Sequence, residues 1–115
     1  MRSPDSRVRE LFDGTDADVI VCGHTHMQFD RTVDPWRVVN AGSVGMPFGE
    51  RGACWLLLDG TRVELRRVEY DYVAAAAQIR ATAFPGAEDF ATRNVLSTPP
   101  AEAILAAFEK LDGRT

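Results

Sequence analysis

Both histidines of this sequence lie in one tetrapeptide, Gly23-His24-Thr25-His26. An apolar run with β-branched residues, Val19-Ile20-Val21-Cys22, comes directly before it, and strand ends in α/β sheets are where ligand sites gather. Neutral imidazole is a common metal ligand and suits Zn, Fe, Mn or Ni. Gly23 has no Cβ, so the backbone can pass close to a bound group. The spacing is therefore compatible with a metal site, and a pair of partly exposed loop histidines without metal fits His-x-His alone equally well.

The elements around this motif are typical of an α/β layered fold. Apolar side chains repeat at helical spacing over residues 6–13, which predicts a short amphipathic helix. Residues 19–22 form a continuous apolar run, which predicts a strand buried on both faces. A helix that leads into a fully buried strand indicates helices packed on a sheet.

The rest of the chain divides into strands followed by helices. Alternating or apolar runs predict four further strands, at residues 29–33, 37–40, 54–58 and 62–70. The turn Asp59-Gly60 joins the last two as a hairpin, and a slip in the alternation predicts a bulge at Arg66-Arg67. Helical patterns then occupy three segments, from Tyr72 to Ala83, from about Ala87 to Val95 and, after an N-cap at Thr98, from Ala101 to Leu111.

Composition excludes several function classes. The 115 residues are 45% hydrophobic with a net charge of −4, so the chain can form a core and has no broad attraction for nucleic acid or an acidic membrane. No apolar run approaches the roughly 18 residues of a membrane span, and residues 1–6 show no secretory signal. Cys22 and Cys54 lie in separate apolar runs, which favours two reduced thiols. We therefore expect a cytoplasmic protein.

The segment Val19–Met27, followed by Asn40-Ala41-Gly42-Ser43 and then Gly45 and Pro47, resembles the calcineurin-like metallophosphoesterase superfamily. It is most similar to the small bacterial phosphodiesterases, whose catalytic domain ends with a strand, Gly-His-Thr-His, a hairpin and Asn-Pro-Gly-Ser. Ala41 stands where the family usually has proline. The resemblance implies that residues 1–72 are the second half of a four-layer α/β/β/α sandwich. Residues 73–115 would be a helical extension packed on the same domain.

The resemblance also implies a site. His24 would bind one ion and His26 the other ion of a dinuclear pair of Mn, Fe, Zn or Ni. Those metals would polarise a phosphodiester or phosphomonoester and generate the attacking hydroxide, so no catalytic side chain is assigned. Asn40, Gly42 and Ser43 are candidates for shaping the site floor or approaching phosphate, and a tight turn that only packs is the alternative.

One departure from the family limits this interpretation. The family's other ligands lie upstream, in Asp-x-His, Gly-Asp-x-x-Asp and Gly-Asn-His-Asp/Glu, and the sequence contains none of these motifs. Catalytic metal sites usually have about three protein ligands. We therefore expect an enzyme fragment that is inactive alone and associates with itself or with an amino-terminal half. The alternatives are a non-catalytic remnant that binds metal or a partner protein, and a stand-alone α/β domain with an incidental His-x-His.

Overall fold

The computed structural model describes residues 3–113. The elements follow one another in the order α1 (Asp5–Phe12), β1 (Val19–Cys22), β2 (Gln28–Val33), β3 (Trp36–Ala41), β4 (Ala53–Asp59), β5 (Arg62–Val68), α2 (Tyr72–Arg80), α3 (Ala87–Phe90), a π-helical segment (Ala91–Val95) and α4 (Ala101–Leu111). The chain is thus a mixed α/β structure with strands first and most helices last.

The first sheet brings three chain segments to one edge. Its strand order is β1-β3-β2, with β3 parallel to β1 and antiparallel to β2. Cys22 is opposite Asn40, and Gln28 is opposite Ala41. Because parallel strands end at the same edge, the residues that follow β1 and β3 leave the sheet side by side. This edge carries the histidine motif.

Helix α1 covers one face of this sheet. Val8 of α1 packs in a buried cluster with Val33, Trp36 and Val38. The ring of Phe12 meets Trp36 edge-on, with 6.2 Å between centroids, and the indole N–H of Trp36 donates to the carbonyl of Thr15 at 3.1 Å. Trp36 therefore satisfies its polar atom while its ring fills the core.

The β4–β5 hairpin forms a second, two-stranded sheet. The Gln28 side-chain amide nitrogen joins the two sheets, because it lies 3.3 Å from the carbonyl oxygen of Ala41, 3.0 Å from that of Trp55 and 2.9 Å from that of Arg66. Val39 is fully buried, and its side chain alternates in direction with that of Val38. Both faces of β3 are therefore covered.

The helices after the hairpin have a small core of their own. Ala76, Ala91 and Val95 are buried together, with Tyr72 and Ile79 packed against them. The carboxylate of Asp71 accepts a hydrogen bond from the amide of Ala74 at 2.9 Å and caps α2. No helix within residues 3–113 is long and apolar enough to cross a membrane.

Three local expectations were wrong. Strand β1 is not buried on both faces, because Val21 is 46% exposed. The β4–β5 register runs without interruption from Ala53↔Val68 to Asp59↔Arg62, so there is no bulge at Arg66-Arg67. Helix α4 begins after Pro100, with no side-chain cap from Thr98.

The chain leaves much apolar surface uncovered. Its accessible surface is 7355 Å², against about 6,200 Å² for a typical folded protein of its mass. The radius of gyration is 16.4 Å, against about 13 Å for a compact domain of this length. Part of the excess consists of exposed apolar side chains, among them Val21, Val44, Val68, Val73 and Leu111.

Candidate functional site

The segment Gly23–Met27, called here the histidine loop, has an unusual backbone. The amide of Thr25 donates to the carbonyl of Gly23 at 2.9 Å, which closes a three-residue turn with His24 at its centre. His24 has φ +71° and His26 has φ +59°. Residues other than glycine rarely adopt positive φ, and each such residue costs on the order of 1–3 kcal/mol. The surrounding structure must therefore hold this loop in place.

The imidazole of His26 is fixed from two sides. Its Nδ1–H donates to the carbonyl of Met46 at 3.0 Å, since a carbonyl can only accept. Its ring stacks on Phe48, with 5.2 Å between centroids and 22° between planes, and the Phe48 amide donates to the His26 carbonyl at 3.1 Å. This tautomer leaves the Nε2 lone pair available. A backbone carbonyl on the other nitrogen is the usual partner of a metal-binding histidine.

The imidazole of His24 is exposed and meets the last helix. Its ring stacks on Phe108 of α4, with 6.3 Å between centroids and 24° between planes. Helix α4 therefore extends over the histidine loop, although none of its residues is fully buried.

Asn40 connects the histidine loop to the loop after β3. It is fully buried, and its side-chain amide donates to the carbonyl of Gly23 at 2.8 Å and to the hydroxyl of Thr25 at 3.1 Å. Its side-chain oxygen accepts from the amide of Gly42 at 2.9 Å. Both ends of the side chain are thus engaged, which gives Asn40 a positioning role. A direct contact with substrate, as the sequence suggested, would require one of these bonds to break.

Gly42 and Ser43 form a tight turn at the base of the same loop. Gly42 has φ +79°, and a Cβ there would lie 2.8 Å from the Gln28 side chain and 2.9 Å from the Cys54 side chain. The hydroxyl of Ser43 accepts from the amide of Met46 at 3.0 Å. The Gly42 amide already bonds to Asn40, so it is not free for phosphate. A substrate contact by Gly42 or Ser43 stays a prediction.

The histidine loop brings two imidazoles to the edge of the first sheet. Among residues 3–113, no three His, Cys, Asp or Glu side chains converge closely enough to hold a metal ion. Asp30 pairs with Arg37 through bonds of 3.0 and 2.7 Å, which lower the pKa of the Asp30 carboxyl.

Other titratable groups near the loop are structural. Burial raises the pKa of the Cys22 thiol, and its hydrogen bond with Asn40 opposes the shift. Burial also raises the pKa of Cys54, with a further contribution from Glu50. Both cysteines are free, as predicted, and both favour the neutral thiol. The guanidinium carbon of Arg51 lies 3.6 Å from the centre of the Tyr72 ring.

A cavity of about 410 Å³ lies between the histidine loop, the loop at Phe48–Glu50 and helix α4. Its lining includes His26, Phe29, Phe48 and Leu105. The sequence did not predict this cavity, because segments far apart in the chain form its lining, such as those that contain Phe29, Phe48 and Leu105.

Comparison with known proteins assigns the family. A calcineurin-like phosphoesterase superfamily domain model matches residues 2–62, which include the histidine loop and the turn at Asn40–Ser43. The chain belongs to the calcineurin-like phosphoesterase superfamily. The resemblance inferred from the sequence motifs is thereby confirmed.

A search of solved structures finds a protein with a similar fold. The hypothetical protein PH1004 from Pyrococcus horikoshii OT3 is similar, with a TM-score of 0.64 and 22% sequence identity. The alignment covers 78% of this chain and 38% of the Pyrococcus chain, so this chain spans well under half the length of that relative. A search of curated proteins found no significant match.

Proposed function

We propose that this chain carries the metal-binding histidine loop of a metal-dependent phosphoesterase that hydrolyses a phosphodiester or a phosphomonoester. Each histidine would give one imidazole ligand to a different ion of a pair of divalent metals, drawn from Mn, Fe, Zn and Ni. The observation that carries the proposal is the state of His26. Its Nδ1–H is tied to Met46, so its Nε2 presents a lone pair at the edge of the sheet.

Bound ions of this kind would supply Lewis-acid catalysis by polarising the phosphate oxygens. The part played by this chain is to orient ligands. Asn40 holds Gly23 and Thr25 on either side of His24, and Met46 and Phe48 hold the ring of His26. Rigid ligands lose little conformational entropy when an ion binds, so these contacts favour metal affinity.

We further propose that the remaining ligands, and the other half of a four-layer α/β/β/α sandwich, come from polypeptide outside these 115 residues or from a second copy. Strand β1 is an edge strand, and Val21 on it is 46% exposed. An edge strand with exposed apolar side chains favours association. The 38% coverage of the Pyrococcus protein agrees with this proposal. The free thiols favour a cytoplasmic location.

A non-catalytic remnant is the second candidate. The specific observation in its favour is that residues 3–113 hold no third ligand beside the histidines. Such a protein would bind one ion weakly or none, and it would hydrolyse nothing even when joined to the rest of its gene product.

Hydrolysis of bis(4-nitrophenyl) phosphate tests the proposed function. We expect the complete gene product to release 4-nitrophenol with added Mn²⁺, the 115-residue chain to be nearly inactive, and His26→Ala to abolish the activity of the complete protein. Gln78→Ala, an exposed change on α2, is the matched control and should keep full activity. A complete protein that stays inert with Mn²⁺, Zn²⁺, Fe²⁺ or Ni²⁺ would favour the remnant.

A further inference from the structure

The cavity beside His26 has a lining that is mostly apolar. It has a volume of about 410 Å³, within the range of small-molecule sites. Five of the eleven lining residues have apolar side chains, which are Met27, Phe29, Phe48, Ala101 and Leu105, and the lining exposes more apolar than polar surface. The cavity is about half open to solvent, and its volume leaves room for a substituted aromatic ring, since about 150 Å³ already accommodates benzene.

The polar groups of the lining offer few donors to a phosphate. The amide nitrogen of Gln28 is occupied by backbone carbonyls, whereas the hydroxyl of Thr25 accepts from Asn40 and can still donate one hydrogen bond. The remaining charged group in the lining is the carboxylate of Glu50, which repels anions. The cavity thus fits an uncharged apolar group, while a phosphate would have to lie towards the histidines.

The position of Leu105 in this wall is set by the start of α4. The amide of Gly49 donates to the carbonyl of Pro99 at 2.9 Å, directly before the helix. Gly49 has φ +82°, and a Cβ there would lie 2.9 Å from the Cβ of Ala101. This close approach fixes the first turn of α4. Leu105, one turn later, remains partly exposed and can gain contact area from a ligand.

We propose that this cavity receives the uncharged aromatic part of a phosphoester substrate, and that Leu105 and Phe48 determine this specificity. The inference rests on the proposed phosphoesterase function, because it places the phosphate at the histidines. It adds that the alcohol part carries a ring and no negative charge. Phe48 stacks on His26, so the ring of the substrate and the proposed metal ligand share one wall.

The first test needs neither metal nor activity. Phenol titrated into the 115-residue chain should shift the amide NMR resonances of residues 25–29 and 48–50 with saturation. Benzoate, of similar size but anionic, should bind about tenfold more weakly, and Glu50→Gln should remove most of that difference. Absence of saturable shifts in these residues at millimolar phenol would overturn the proposal.

Variants of α4 locate the effect. Leu105→Glu should weaken phenol binding about tenfold, whereas Leu111→Glu, the same change at an 83% exposed position of the helix, should leave it unchanged. Leu105→Ala keeps helix propensity and should weaken binding about threefold, which provides a readout if the charged variant disturbs folding. Equal weakening by Leu105→Glu and Leu111→Glu would contradict the proposal.

The second test uses the complete, metal-loaded protein. Leu105→Ala should raise KM for phenyl phosphate about threefold and leave KM for methyl phosphate unchanged, measured by phosphate release. Activity on both esters without phenol binding would refute the cavity assignment alone. Activity on neither ester and none on bis(4-nitrophenyl) phosphate, with phenol still bound, would refute the phosphoesterase function and with it the substrate role of the cavity.

Discussion

Replacement of Asn40 by alanine should destabilise the chain more than any surface change. The substitution removes three hydrogen bonds, leaves the half-buried amide of Gly42 without that partner, and leaves the carbonyl of Gly23 with only the amide of Thr25. Each bond contributes about 1 kcal/mol net, and each buried group left unsatisfied costs about 1–3 kcal/mol. Since these effects overlap, we expect a loss of about 3–5 kcal/mol in the free energy of unfolding. That is a large part of the roughly 5–15 kcal/mol available to a typical domain.

Urea denaturation followed by circular dichroism measures this loss, provided that the m-value is unchanged. Asn94→Ala is the matched control, because Asn94 is a half-exposed asparagine in the π-helical segment, and it should cost less than about 1 kcal/mol. Asn40→Asp keeps the side-chain volume but places an acceptor 2.8 Å from the Gly23 carbonyl, so it should be at least as damaging as alanine. A loss from Asn40→Ala below about 1 kcal/mol, or equal to the control, would refute the positioning role of Asn40.

Two further predictions concern the helices. Gly49→Ala should lower the free energy of unfolding by about 1–3 kcal/mol and speed amide hydrogen exchange in α4, because it combines φ +82° with a Cβ contact of 2.9 Å to Ala101. Gly45→Ala is the control and should be nearly neutral, since no atom lies within 4 Å of its Cβ. Similar exchange in both variants would contradict this prediction. The Arg80–Glu88 ion pair joins α2 to α3 and lowers the pKa of Glu88. The ion pair therefore stabilises the fold at pH values above the ordinary carboxyl pKa. This stabilisation is lost as pH falls through the lowered pKa. The melting temperature should therefore fall as the pH is lowered from about 5 to about 3. This fall should be smaller in Glu88→Gln than in the control Glu10→Gln. An equal fall in the two variants would argue against a contribution from the ion pair.

The sequence predicted most elements, because their periodicities are local. The hairpin turn at Asp59-Gly60 and the apolar stripes of α1 and α4 appear where the patterns placed them. The bulge was wrong because Val68 is 51% exposed, so its hydrophobicity did not report which face of β5 is buried. Likewise, the apolar run of β1 includes Val21, which no described residue buries.

The residues of the candidate site were proposed from the sequence, but their geometry was not. The family resemblance implied His24 and His26 as metal ligands, which stays a prediction, and no local rule placed both at positive φ, which is uncommon for residues other than glycine. The packing of Phe108 on His24 is a contact between distant parts of the chain. The family resemblance made Asn40 a candidate for substrate binding, and that stays a prediction. Its buried position depends on the pairing of β3 with β1.

Metal stoichiometry of the complete gene product tests the central claim most directly. The claim is that His24 and His26 each bind a different ion. Elemental analysis after dialysis should find two ions per chain in the wild-type protein, and about one in His24→Ala and in His26→Ala. Both ions retained in both variants, or no metal in the wild-type protein, would contradict it.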